Sequence, residues 1–147
     1  MHTYHLQDEF TDPRAEQGLL AALTDSPALY DELLDVLTPD LFPTTQETWR
    51  PLALALEAAQ RPSIPAAWSP AADPRATAQR LRDLHQRRLL AAAQERLAQA
   101  LFDDAKPATE IAALLEEEAL RVQTALRSSA AGRLQWASAL LPAVLAD

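Results

Sequence analysis

Cysteine is missing from this 147-residue chain, and the absence excludes disulfides and thiolate-bound metals while fitting a reducing compartment. Glycine is nearly missing too. Gly18, Gly132 and the lone lysine, Lys106, do not form the glycine-rich loop followed by Lys and Ser/Thr that cradles phosphates, so neither a nucleotide-driven motor nor a bound cofactor is expected. No Gly-x-Ser-x-Gly elbow and no His-Glu-x-x-His helix occurs, which removes two common hydrolase signatures and leaves a non-enzymatic role as the expectation. The start, MHTYHLQDEF, lacks the basic residues and apolar run of a secretory signal, and no apolar stretch is long enough to cross a bilayer; a soluble, cytoplasmic protein is expected. β-Branched apolar residues are sparse among the 48% hydrophobic positions, where Ala and Leu dominate, so helix is favoured over sheet. A net charge of −8 argues against a surface that embraces nucleic acid throughout, although a local basic patch remains open.

What is present is a series of helix starts and leucine stripes. Asp12-Pro13 opens a first helix: the carboxylate accepts from a first-turn N–H, and proline at the first helical position gives up no intrahelical bond. Leu19, Ala22 and Leu23 share one face of it. Ser26-Pro27 predicts a second helix with Leu29, Leu33, Leu34 and Leu37 at three- and four-residue spacing. Asp31, Glu32 and Asp35 fall opposite those leucines, as a solvated face. Leu37-Thr38-Pro39-Asp40-Leu41-Phe42 reads as a tight turn returning two apolar side chains to the core. A third helix, capped by Thr48 with Pro51 in its first turn, aligns Trp49, Leu52, Ala53 and Leu56.

Pro62, Pro65 and Pro70 interrupt helix around Trp68, so residues 60–73 read as a linker that the tryptophan anchors. Asp73-Pro74 repeats the helix start. A run of about 30 residues follows, enough for about 45 Å, with Leu81 and Leu84 and then Leu90, Ala93, Leu97 and Leu101 on a drifting stripe. After the turn Asp103–Pro107, Ile111, Leu115, Val122 and Leu126 recur in phase, which predicts two helices folded back on each other. Ser128–Gly132 reads as a flexible connection. Leu134, Trp136, Leu140, Leu141, Val144 and Leu145 form a last apolar segment, too short to be stable alone, that must dock. The expected fold is all-α: a helical globule over 1–59, a linker over 60–73, a long antiparallel hairpin over 74–128, and a connection with a short C-terminal linker helix over 129–147.

Ala15-Glu16-Gln17 with Leu19-Leu20 on the first helix, followed by Leu37, Pro39, Asp40 and Phe42, resembles the N-terminal domain of the DnaB family of bacterial replicative DNA helicases. The order of globule, hairpin and terminal helix matches as well, and Arg87-Arg88-Leu89-Leu90 stands where that family often has an arginine followed by apolar residues. The chain departs from the pattern at Ala21, where glycine is usual, at Pro43, where an aromatic is usual, and in the shortness of Gln60–Asp73. The resemblance implies a non-catalytic assembly and docking domain. It implies homo-oligomerisation through the hairpin, a primase or a helicase loader as partner, and a terminal helix leading to the ATPase domain of a replicative helicase.

Arg80, Arg87, Arg88, Leu90, Leu97, Trp136, Leu140 and Leu141 are the candidate partner-binding residues. With Arg75, Arg82, Arg121 and Arg127 the arginines suit three readings: ion pairs with nearby carboxylates, an acidic protein partner, or nucleic acid. His2 and His5 lack further ligands in a metal-binding pattern, so a loosely packed terminus is expected there. Glu116, Glu117 and Glu118 spread around a helix axis and read as a solvated face, and His85 as a surface or interface residue. Two other functions fit the same residues: a free-standing regulator that binds the replicative helicase, and a small helical DNA-binding protein.

Overall fold

The computed structural model describes residues 5–140, with side chains for 5–127, and is helical with no strand among the described residues. Its helices are α1 (Pro13–Asp25), α2 (Ala28–Glu32), α3 (Gln46–Glu57), α4 (Pro74–Leu101) and α5 (Ala108–Leu140), with short 3-10 turns at Leu6–Glu9 and Pro39–Leu41. Two compact units divide the chain. Gln7–Arg88 make the first, and the residues from Leu89 onward, with those up to Leu6, make the second. The boundary lies inside α4, not at the expected 60–73 linker.

The first unit explains why. Leu19, Leu20 and Leu23 of α1 are fully buried among Leu33, Leu41, Phe42 and Leu52, and α4 contributes Ala78, Leu81 and Leu84 to the same core. Those first turns of α4 are therefore built into the globule. The proline-containing stretch packs on it as well: Ile64 and Trp68 lie against the core, and the Ala71 N–H donates to the Gly18 carbonyl at 2.9 Å. Phe42 stacks on Trp49 with ring centroids 4.5 Å apart.

Local chemistry sets the helix starts. Ala15 N–H donates to Asp12 Oδ1 at 3.1 Å, and Ala76 N–H donates to Asp73 Oδ1 at 3.1 Å, so both Asp-Pro pairs cap helices as their sequence dictates. Ser26-Pro27 is weaker. Pro27 offers no side-chain cap, and α2 ends after five residues, yet Leu33 and Leu37 are buried from the turn that follows, together with Tyr30 and Val36. α3 starts at Gln46 instead of after Thr48, which leaves Pro51 inside the helix on its exposed side. That ring has no N–H for the carbonyl of Glu47 one turn earlier.

In the second unit, α4 beyond Arg88 and α5 flank a turn in which Ala105 N–H donates to Asp103 Oδ1 at 3.1 Å. α5 runs through Ser128–Gly132, where a break was expected. Without proline, a single glycine in an alanine-rich run costs a helix only about 1 kcal/mol, too little to end it. His5 and Leu6 are not loose: His5 Nδ1 lies 3.5 Å from Glu95 Oε2, and Leu6 N–H donates to Glu95 Oε1. His2 and Leu141 lie outside the described residues, as do the side chains of Trp136 and Leu140.

Candidate functional site

Buried carboxylates lock both units. Glu16 occupies the stripe of α1 that carries Leu19, Leu20 and Leu23, and is fully buried. Its carboxylate accepts from Thr44 N–H at 3.0 Å, Thr44 Oγ1 at 2.8 Å and Thr45 Oγ1 at 2.9 Å, so α1 is bolted to the start of α3. Because Thr45 donates its hydroxyl to Glu16, it does not cap α3, and Gln46 Nε2 instead reaches back to the Phe42 carbonyl at 2.9 Å. A buried carboxylate needs this saturation, because each unmet lone pair would carry a desolvation penalty.

The predicted arginine cluster is divided by its hydrogen bonds. Arg80 Nε donates to Asp12 Oδ2 at 3.0 Å, bracing the α1 cap, and Arg87 pairs with Asp83 one turn earlier on α4 at 2.7 Å. Arg88 does more. Its guanidinium donates to the carbonyls of Phe10 at 2.6 Å and Asp40 at 2.7 Å, fastening the segment before α1 and the 39–41 turn to α4. Arg75 reaches the Glu32 carbonyl at 2.7 Å and the Asp35 carboxylate at 3.4 Å. These arginines tie the first unit together, and the ion-pair reading fits their contacts. Arg82 differs: among the described buried side-chain nitrogens and oxygens, its Nε alone lacks a hydrogen-bond partner.

Several of these groups titrate away from their ordinary ranges. Asp12 is held below the usual carboxylate range, first by the Ala15 N–H and further by Arg80. His85 is half-buried, 3.8 Å from Asp40 through Nε2, and burial lowers its pKa against the upward pull of Asp40, with Arg88 lowering it further. It is thus packed inside the first unit and not a free surface residue. Tyr30 is pushed upward, first by burial and then by its 3.0 Å hydrogen bond to Glu57.

The second unit reverses the usual order of inside and outside. Glu118, expected on a solvated face, is buried and accepts two 2.8 Å hydrogen bonds from Arg96 of α4 and a 3.1 Å one from Arg121. The Arg96 pairing holds the Glu118 carboxyl below its ordinary range. The buried apolar groups of this part of the chain are Ala91, Ala93, Ala100 and Val122, all small. Five large ones face out, Leu90 at 55% exposed, Leu101 64%, Phe102 81%, Leu115 55% and Leu120 62%, while Leu89, Leu97, Ile111, Leu114 and Leu126 are half-buried. Two apolar clefts run between α4 and α5. One of about 510 Å³ is lined by Leu97, Leu101, Ile111 and Leu115; the other, of about 390 Å³, by Leu90, Leu97, Val122 and Leu126.

The candidate residues divide between the two units. Arg80, Arg87 and Arg88 belong to the first unit, Leu90 and Leu97 to the clefts of the second. Sequence periodicity found Leu90, Leu97, Leu101 and Leu115 but singled out only the first two as candidate partner-binding residues. Phe102 gave no periodic signal. Among the described residues, no group of His, Cys, Asp and Glu is placed to hold a metal, and no helix is long and apolar enough to cross a membrane. Compared with known families, curated proteins and solved structures, the chain matches none.

Proposed function

We propose that this chain is a non-catalytic assembly and docking module of the kind that forms the N-terminal domain of DnaB-type replicative helicases. It associates with copies of itself through α4 and α5 and presents a surface to a primase or a helicase loader. The observation that carries the reading is the outward display of leucine by the second unit, whose interior holds alanine and an ion-paired glutamate. A helix pair that buries so little large apolar surface gains little from its own packing, and clustered exposed leucines mark an interaction site. The resemblance of Ala15–Leu20 and Leu37–Phe42 supplies the direction.

The cleft around Leu90, Val122 and Leu126 is the surface assigned to self-association. Leu90→Glu with Ala119→Glu places charge at two exposed positions that line this cleft. Light scattering after size exclusion should give an oligomer for the parent chain and a monomer for this variant; a parent chain that is monomeric at high micromolar concentration would overturn the reading. DNA binding has less support, because Arg75, Arg80, Arg87, Arg88, Arg96 and Arg121 are all engaged within the protein.

A further inference from the structure

Within the first unit, one guanidinium fastens two separate pieces of chain to α4. His85 and Arg88 stand one turn apart on that helix, and both reach the 39–41 turn: His85 Nε2 lies 3.8 Å from Asp40 Oδ2, and Arg88 donates to the Asp40 carbonyl at 2.7 Å. Arg88 also donates to the Phe10 carbonyl at 2.6 Å, which ties down the segment before α1. That segment is shallowly seated. Its 3-10 turn, Leu6–Glu9, has no buried residue, Phe10 is only partly buried against the core, and the bonds from Phe10 N–H to the Gln7 carbonyl and from Thr11 Oγ1 to the Asp8 carbonyl run within the segment itself.

Histidine is the side chain that changes charge near neutrality, and this one is placed where a new charge disturbs the fastening. Its side chain is 16% exposed, and its distance from the Asp40 carboxylate is longer than a hydrogen bond. With a proton it becomes an ion-pair partner for Asp40 and a second cation one turn from Arg88. We propose that His85, Asp40 and Arg88 form a proton-operated latch: protonated His85 draws in the Asp40 carboxylate, expels the Arg88 guanidinium from the Phe10 carbonyl, and frees residues 7–11 from α4. The sign follows from linkage. In the closed state burial and Arg88 hold the proton off His85 against the pull of Asp40; once Arg88 has swung away Asp40 remains, so the open state binds the proton more tightly and acid favours opening. The carboxylates of Glu16, on α1, and Asp40 attract Arg88 and resist its departure. Asp12, paired with Arg80, keeps the start of α1 in place in both states. The latch lies within the first unit and is independent of the assembly reading.

The test is amide hydrogen exchange of the full chain, read by mass spectrometry at about pH 7.5 and about pH 5 with each rate divided by its intrinsic value. Peptides covering residues 6–12 report the latch, and peptides covering residues 19–23, in the core of α1, report the unit as a whole. In the parent chain, protection over 6–12 should fall by about tenfold on acidification while that over 19–23 holds. His85→Gln and His85→Asn, two neutral replacements, should keep the segment equally protected at both pH values. His5→Gln, whose ring lies against Glu95, should respond to acid as the parent does. Arg88→Ala should leave the segment weakly protected at both. A parent chain equally protected at the two pH values, an acid-induced loss that persists without the His85 imidazole, or a loss that extends to residues 19–23 overturns the proposal.

Discussion

Ala59 is the one non-glycine residue with positive φ, at 55°, among those described. It follows the end of α3, where Gln60 N–H donates to the Ala55 carbonyl at 2.7 Å and Ala59 N–H to the Leu56 carbonyl at 3.2 Å. That pair of bonds closes a helix by a left-handed residue, a place where glycine carries no Cβ penalty. Ala59→Gly should therefore stabilise the protein by about 0.5–1 kcal/mol despite adding a flexible residue; a midpoint of urea unfolding that falls instead of rising would contradict the assignment. The adjacent arginines make a second test. Arg87→Ala removes an exposed pair and should change stability by no more than about 0.5 kcal/mol, whereas Arg88→Ala strands two carbonyls and should cost about 2–3 kcal/mol. Equal effects at the two positions would refute the scaffold role of Arg88. His85 adds a pH test with a definite sign. Burial holds its folded pKa below the ordinary 6.5, so the stability tied to neutral His85 is complete above that value and lost as pH falls through the folded one. His85→Gln should flatten the unfolding free energy against pH in that acidic window, and an unchanged slope would rule out His85 as its source.

At the scale of elements, α1 and α4 were legible because Asp-Pro is a local signal: a carboxylate cap and a ring that fits the first turn act within four residues. Asp12 also holds Arg80, so Asp12→Ala should cost about 1–2 kcal/mol. Its lowered pKa means that the contribution is present above the ordinary carboxyl value of 3.8 and lost as pH falls through the folded one; acid unfolding of the variant should begin from a lower plateau with a shallower slope. The core leucines of α1, the Leu41–Phe42 return and Trp49 with Leu52 were equally readable, since one stripe at helical period has one inward face. What failed was non-local. The shortness of α2 depends on the turn that follows Glu32, and the burial of Glu16 depends on two threonines nearly thirty residues away. Glu118 was misread for the same reason: its arginine partner on α4 cannot be seen from the run Glu116–Glu118 alone. The candidate site was legible as residue types, leucines along α4 and α5, but periodicity does not say whether such a stripe faces its own chain or another.

For the molecule as a whole, the division inside α4 matters most. One helix supplies Ala78, Leu81 and Leu84 to the core of the first unit and Leu90, Leu97 and Leu101 to the clefts of the second. The first unit fills its interior with leucine and aromatic rings and saturates the Glu16 carboxylate inside it; the second leaves Leu90, Leu101, Phe102, Leu115 and Leu120 largely exposed. Sedimentation equilibrium over a range of concentrations tests the central claim, that the second unit is completed by other chains. The account predicts a mass rising from one chain to a multiple of it for the parent protein, and the mass of one chain throughout for Leu90→Glu with Ala119→Glu. A parent chain whose mass stays that of a monomer into the high micromolar range, or a variant that assembles as the parent does, would contradict it.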